Sequence, residues 1–97
     1  LMKPNAYLIN TARAEILNRN DIIDALKNKK IAGAALDVFW QEPLPKDDIL
    51  MKLDNVTLTP HIAGDTIDAI SHAPYLLRDV INDYFTKGKS KMQVNKF

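Results

Sequence analysis

An unbroken apolar run, Ile31-Ala32-Gly33-Ala34-Ala35-Leu36, ends in a carboxylate, Asp37, and no other stretch constrains the fold as tightly. The run lacks the apolar–polar alternation of a strand with one wet face. It therefore reads as a strand buried on both sides, the kind found in parallel sheets. Such sheets bind ligands beyond the carboxyl ends of their strands, which puts Asp37 where chemistry would take place. Five residues on, Glu42 precedes Pro43, whose ring disfavours helical dihedrals and leaves Glu42 on extended backbone. Loop solvation is the plainer reading of both carboxylates.

The neighbouring segments repeat the pattern. Lys3-Pro4-Asn5 signals a turn, and Ala6-Tyr7-Leu8-Ile9-Asn10 has the length and composition of a strand. Thr11-Ala12-Arg13-Ala14 leaves that strand with a cation at its carboxyl end. Asn18, followed by Asp21, predicts a helix N-cap with an acid placed against the helix dipole. Ile22, Ile23, Ala25 and Leu26 supply the apolar face, and Lys27, Lys29 and Lys30 gather near the negative end. Strand, helix, strand in this order predicts a βαβ unit with a right-handed crossover. Further on, Asp47 is placed to cap a short helix carrying Ile49, Leu50, Met51 and Leu53, and Val56-Thr57-Leu58-Thr59 reads as a third strand that stops at Pro60. His61-Ile62-Ala63-Gly64 is a loop. Asp65 or Thr66 then caps a last helix with Ile67, Ile70, Leu77, Ile81 and Phe85 at helical spacing, closed by Lys87-Gly88. Pro74 inside that helix removes a hydrogen bond and is expected to kink or split it.

The strands end in Arg13, in Asp37 with Glu42, and in His61. In a parallel sheet these groups share one edge. Taken singly, an arginine there reads as a surface ion pair and a histidine as a helix cap. Together they suit one reaction. An arginine fork grips a carboxylate in two hydrogen bonds, a histidine moves a proton near neutral pH, and a glutamate beside it holds the imidazole in one tautomer. That set would serve a 2-oxo or 2-hydroxy acid.

Composition narrows the class. The 97 residues make one domain at most, 46% hydrophobic and 26% charged, with a net charge of +1 that gives no reason to expect nucleic acid or a membrane surface as partner. No cysteine is present, so a thiolate metal site is not available, and two histidines make a structural metal improbable. No apolar run reaches the roughly 20 residues of a membrane span. A cytoplasmic protein is expected.

Three stretches carry a family resemblance: Met-Lys-Pro-Asn-Ala-Tyr-Leu-Ile-Asn-Thr-Ala-Arg from Met2, Ala-Gly-Ala-Ala-Leu-Asp-Val-Phe with Glu-Pro-Leu-Pro after it, and Leu-Asp-Asn-Val-Thr-Leu-Thr-Pro-His-Ile-Ala-Gly ending at Gly64. In this order and spacing they strongly resemble the NAD-binding domain of D-isomer-specific 2-hydroxyacid dehydrogenases, the family of glycerate, phosphoglycerate and D-lactate dehydrogenases. The resemblance implies an α/β fold, part of a Rossmann-type doubly wound parallel sheet of three strands with flanking helices, in a fragment of a larger dehydrogenase. Residues 1–86 would be the C-terminal half of the cofactor domain and 87–97 a tail returning toward an absent substrate domain.

The family's catalytic arginine, glutamate and histidine fall on Arg13, Glu42 and His61. Its cofactor contacts fall on Thr11, Ala12, Arg13, Asp37, His61, Ile62, Ala63 and Gly64, with Asp37 anchoring the carboxamide. Also implied are NAD, with NADP not excluded, a small 2-oxo or 2-hydroxy acid as substrate, no metal, and a homodimer. Some relatives act instead as NAD-sensing corepressors that keep the same three residues. Ala14 stands where the family usually has glycine, so strain is expected there if the position needs a positive φ. Trp40, commonly polar in the family, is expected to pack rather than line a pocket. The chain has no Gly-x-Gly-x-x-Gly turn, so the pyrophosphate-binding half of such a domain is not in it.

Overall fold

The structure is a computed structural model that describes residues 1–90 and residue 92. The chain divides into two units, Leu1–Gly64 and Asp65–Phe97. Most of the expected tail, 87–97, lies outside the described residues.

The first unit is a three-stranded parallel sheet in the order β1 (Tyr7–Asn10), β2 (Gly33–Leu36), β3 (Val56–Leu58). Helix α1 (Arg19–Lys27) joins the first two strands, and a short 3-10 helix, Ile49–Lys52, precedes the third. The register sets Asn10 beside Leu36 and Leu36 beside Leu58, so all three strands run out at one level. Backbone hydrogen bonds carry the ladder one step further, from Asp37 N to Asn10 O at 3.0 Å and from Thr59 N to Leu36 O at 3.1 Å.

Local chemistry explains each element. The Asn18 side chain accepts from the amides of Asn20 and Asp21, satisfying two of the donors that open α1. Ile22 and Leu26, one turn apart, bury the helix against the sheet with Ile31, Ala34, Leu36, Phe39 and Leu50. α1 ends with Lys29 N donating to Leu26 O and Lys30 N to Ala25 O, the paired bonds of a Schellman motif. Lys29 takes the left-handed position of that motif at φ 50°, where glycine is usual. The 3-10 helix is capped by Asp48 rather than by the expected Asp47. Asp48 accepts from Leu50 N at 2.9 Å and from the Arg19 guanidinium at 2.8 Å, so one side chain caps the turn and ties it to the start of α1. Among the described residues Asp47 has no such second partner to fix it.

Only one sheet face is packed in this way. On the other, Tyr7 and Ile9 stand 70% and 73% exposed, alongside Ala35 and Thr57. The double-sided burial expected for Ile31–Leu36 therefore holds fully on the α1 side alone. Trp40 packs against the core as expected. Ala14 does not have a positive φ; it opens a 3-10 turn, Ala14–Ile16, with its methyl buried, so the expected strain is absent.

In the second unit, helix α2 (Ile67–Lys87) is capped by the Thr66 hydroxyl, which accepts from Ala69 N, and is closed by Gly88 at φ 68°. The helix is not split at Pro74. A proline removes one bond, and a 21-residue helix with both ends capped retains the rest. Among the described residues no helix is long and apolar enough to cross a membrane.

Two substitutions test this account by denaturant unfolding. A Cβ on Gly33 would lie 2.6 Å from the Asn55 carbonyl oxygen, which itself accepts from Ala34 N in the β2–β3 ladder. Gly33→Ala should therefore cost about 1–3 kcal/mol. Lys29→Gly should gain up to about 1 kcal/mol by relieving the left-handed lysine. A neutral Gly33→Ala would contradict the register.

Candidate active site

The carboxyl ends of the three strands carry the site: the first two close in buried polar residues, Asn10 and Asp37, and the third in the exposed Thr59. After β1, Asn10 is 4% exposed, and its side chain accepts from Ala12 N at 3.0 Å and donates to Arg13 O at 2.9 Å. This Asx-type turn presents Thr11, Ala12 and Arg13 to solvent on a fixed backbone. The Arg13 guanidinium donates to the Ala12 carbonyl and makes no ion pair among the described residues.

After β2, Asp37 is 3% exposed. One carboxylate oxygen accepts from the Thr59 hydroxyl at 2.5 Å and from Ile62 N at 3.0 Å, and the other accepts from Ala63 N at 2.9 Å. The Thr59 hydroxyl, aided by the Ala63 and Ile62 amides, holds the carboxyl below the usual aspartate range against the opposing effect of desolvation. With about four lone-pair positions on a carboxylate, one remains for a further donor. Asp37 is in the first place the anchor of the loop from His61 to Gly64.

That loop carries a strained residue. His61 sits at φ 56°, a left-handed conformation costing about 1 kcal/mol or more outside glycine. Its amide donates to Thr59 O at 3.0 Å, and the amides on its far side are the two taken by Asp37. Bonds to an ionised acceptor are roughly twice as strong as neutral ones, so the clasp outweighs the strain. Ile62, Ala63 and Gly64 lie exposed beside it, and a side chain at Gly64 would meet nothing within 4 Å.

In this conformation His61 Nδ1 lies 2.8 Å from Glu42 Oε2. The other Glu42 oxygen accepts from Phe39 N at 3.0 Å, which fixes the carboxylate on its own loop; the Glu42–Pro43 peptide is cis. The bond with His61, then the Phe39 amide, hold the Glu42 carboxyl below the usual glutamate range, and Arg13 is near enough to add to the effect. An ionised glutamate can only accept, so Nδ1 is the protonated ring nitrogen and Nε2 is left to exchange a proton. Beside the pair lies a cavity of about 370 Å³ walled by Phe39, Leu44, Met51 and Leu58.

The structure thus brings Arg13, Asp37, Glu42 and His61 to one edge, with Thr11, Ala12, Ile62, Ala63 and Gly64 around them. Sequence reasoning missed Asn10 and the hydroxyl of Thr59. Both are polar residues closing an apolar strand, and that signal was available. Among the described residues no cluster of three potential metal ligands occurs.

Comparison with known proteins agrees with this fold. Residues 1–63 match the family described as D-isomer specific 2-hydroxyacid dehydrogenase, NAD binding domain. A glyoxylate reductase of Thermofilum pendens is 59% identical over 68 residues, 70% of this chain and 20% of that protein. A putative 2-hydroxyacid dehydrogenase of Bacillus subtilis is 40% identical over 95 residues, 97% of this chain and 27% of its own length. Among solved structures, a D-isomer specific 2-hydroxyacid dehydrogenase of Xanthobacter autotrophicus in complex with NADPH superposes with a TM-score of 0.72 at 36% identity, over 97% of this chain and 38% of that one. The chain thus spans between a fifth and two fifths of the relatives it matches.

The two carboxylates set a pH dependence. Their folded pKa values lie below the unfolded ones, so the order they confer is complete above the unfolded carboxylate range and is lost as pH falls through the depressed folded values. Amide exchange at Ile62 and Ala63, taken relative to intrinsic rates, should lose protection over that acid window. Protection unchanged through it would remove Asp37 as the anchor.

Proposed function

The chain belongs to the D-isomer-specific 2-hydroxyacid dehydrogenase family as part of its NAD-binding domain, and from that premise we propose that it forms the reactive edge of a longer enzyme. That enzyme transfers a hydride between NAD(P) and a small 2-hydroxy or 2-oxo acid. One observation carries the proposal: the 2.8 Å His61–Glu42 pair stands on the same strand-end edge as an arginine free of any ion pair among the described residues.

The residues fit the nicotinamide end of the cofactor and not its phosphates. Thr11, Ala12, Ala63 and Gly64 are small and exposed, and Asp37 keeps one lone pair for a carboxamide donor. The start of α1, by contrast, is closed by its own Asn18 cap and carries Asp21, so it does not suit an anion. When bound, the nicotinamide supplies or accepts the hydride. Arg13 grips the substrate carboxylate and polarises its carbonyl. His61 gives the carbonyl oxygen a proton from Nε2 in reduction and takes it back in oxidation, while Glu42 holds the ring by Nδ1. Residues 1–86 then belong to the cofactor domain and 87–97 to the return toward a substrate domain. The homodimer, the cytoplasmic location and the absence of a nucleic-acid partner belong to the same reading and rest on resemblance and composition.

Steady-state kinetics of the longer enzyme test this. It should reduce glyoxylate or hydroxypyruvate with NADH or NADPH. His61→Ala should lower kcat by about 10²–10⁴-fold, and Arg13→Lys should raise KM for the oxo acid while lowering kcat, because the fork serves both binding and polarisation. Normal turnover in either variant would contradict the roles assigned. The 97-residue chain by itself should show no saturable binding of NAD at millimolar concentration in a calorimeter, since it offers no pyrophosphate site.

A further inference from the structure

The Arg13 loop and the His61 loop must meet on one small substrate, yet they come from the first and third strands. They are fastened to two residues joined by a single backbone hydrogen bond, Asn10 and Asp37. The Asn10 side chain clips Ala12 N and Arg13 O, while the Asn10 carbonyl accepts from Asp37 N at 3.0 Å. Asp37 in turn holds Thr59, Ile62 and Ala63 around His61. Asn10 is almost fully buried, and its amide oxygen and nitrogen are both spent on the Arg13 loop. A polar side chain in that position costs desolvation that a leucine or valine at a strand end would not. Within the reading of the site given above, on which this inference rests, we propose that Asn10 is a positioning residue for Arg13: its side-chain amide sets where the guanidinium stands relative to His61, and so governs capture of the substrate carboxylate.

Removing the clip frees the backbone of Ala12 and Arg13 without touching the Glu42–His61 pair. A displacement of about 1 Å at a substrate-gripping group is enough to cost up to 10²-fold in rate. Asn10→Ala should therefore lower kcat/KM for the oxo acid by about 10–100-fold, mainly through KM for the oxo acid.

Loss of stability alone could imitate a fall in activity, so the deciding experiment is a double-mutant cycle in the longer holoenzyme. Asn10→Ala is measured alone and in an Arg13→Ala background, reading kcat/KM and the affinity for oxalate, a dicarboxylate probe, by calorimetry. If Asn10 acts through Arg13, it has no further effect on either quantity once Arg13 is gone. Equal losses in both backgrounds would overturn the proposal while leaving the enzyme reading intact. Should Asn10→Ala fail to fold, Asn10→Asp takes its place in the cycle. It has the same shape and keeps the acceptor for Ala12 N, but sets an oxygen against Arg13 O. Absence of 2-oxo acid turnover in the unmutated enzyme would instead defeat the functional reading, and this proposal with it.

Discussion

Asp37 is the residue on which the rest of the site depends. Its carboxylate, buried at the end of the central strand, gathers a hydroxyl from the next strand end and two amides from the loop beyond. The loop could not otherwise hold a histidine at φ 56°. Because that backbone turns the ring toward Glu42, the histidine–glutamate pair is a consequence of the Asp37 clasp as much as of its own attraction. The expectation from resemblance made Asp37 a cofactor anchor. In the structure most of its bonding capacity serves the protein, and the cofactor role is left with the lone pair that remains.

On the proposed reading, the sheet explains why the candidate reactive groups stand together while a pyrophosphate site does not stand beside them. Parallel register brings three strand ends to one level: the first and third lead into exposed loops carrying Arg13 and His61, and the second contributes Asp37 and Glu42. The sequence has no glycine-rich turn of the kind that holds a pyrophosphate, and among the described residues both α-helix N-termini are capped: α1 begins under an asparagine cap with an acid in its first turn, and α2 under Thr66. On the proposed reading, chemistry and phosphate binding are separable parts of the fold, and this chain carries the first.

Much of this was legible in the residues. Apolar runs closed by polar groups marked the strands and their ends, and Asn18 with Asp21 marked the start of α1, because caps are local chemistry written in neighbouring positions. The failures were of a different kind. Asp48 rather than Asp47 caps the 3-10 helix because Arg19, 29 positions away in the chain, pairs with it. The left-handed turns at Lys29 and His61 carry no glycine to announce them, and surrounding hydrogen bonds impose them. At Ala14 strain was expected only if the backbone needed a positive φ; the backbone instead turns into a 3-10 helix that buries the methyl. Pro74 was expected to kink or split its helix, and of the two the split does not occur, because the remaining turns keep their bonds.

The central claim is that an ionised Glu42 fixes the His61 ring by Nδ1 and leaves Nε2 to the substrate. Nitrogen-15 NMR of the imidazole, at a pH where the ring is neutral, tests it directly and needs only the 97-residue chain. The account predicts a proton on Nδ1, coupled through its hydrogen bond to Glu42, and an unprotonated Nε2. A neutral ring carrying its proton on Nε2, unchanged by Glu42→Gln, would contradict it.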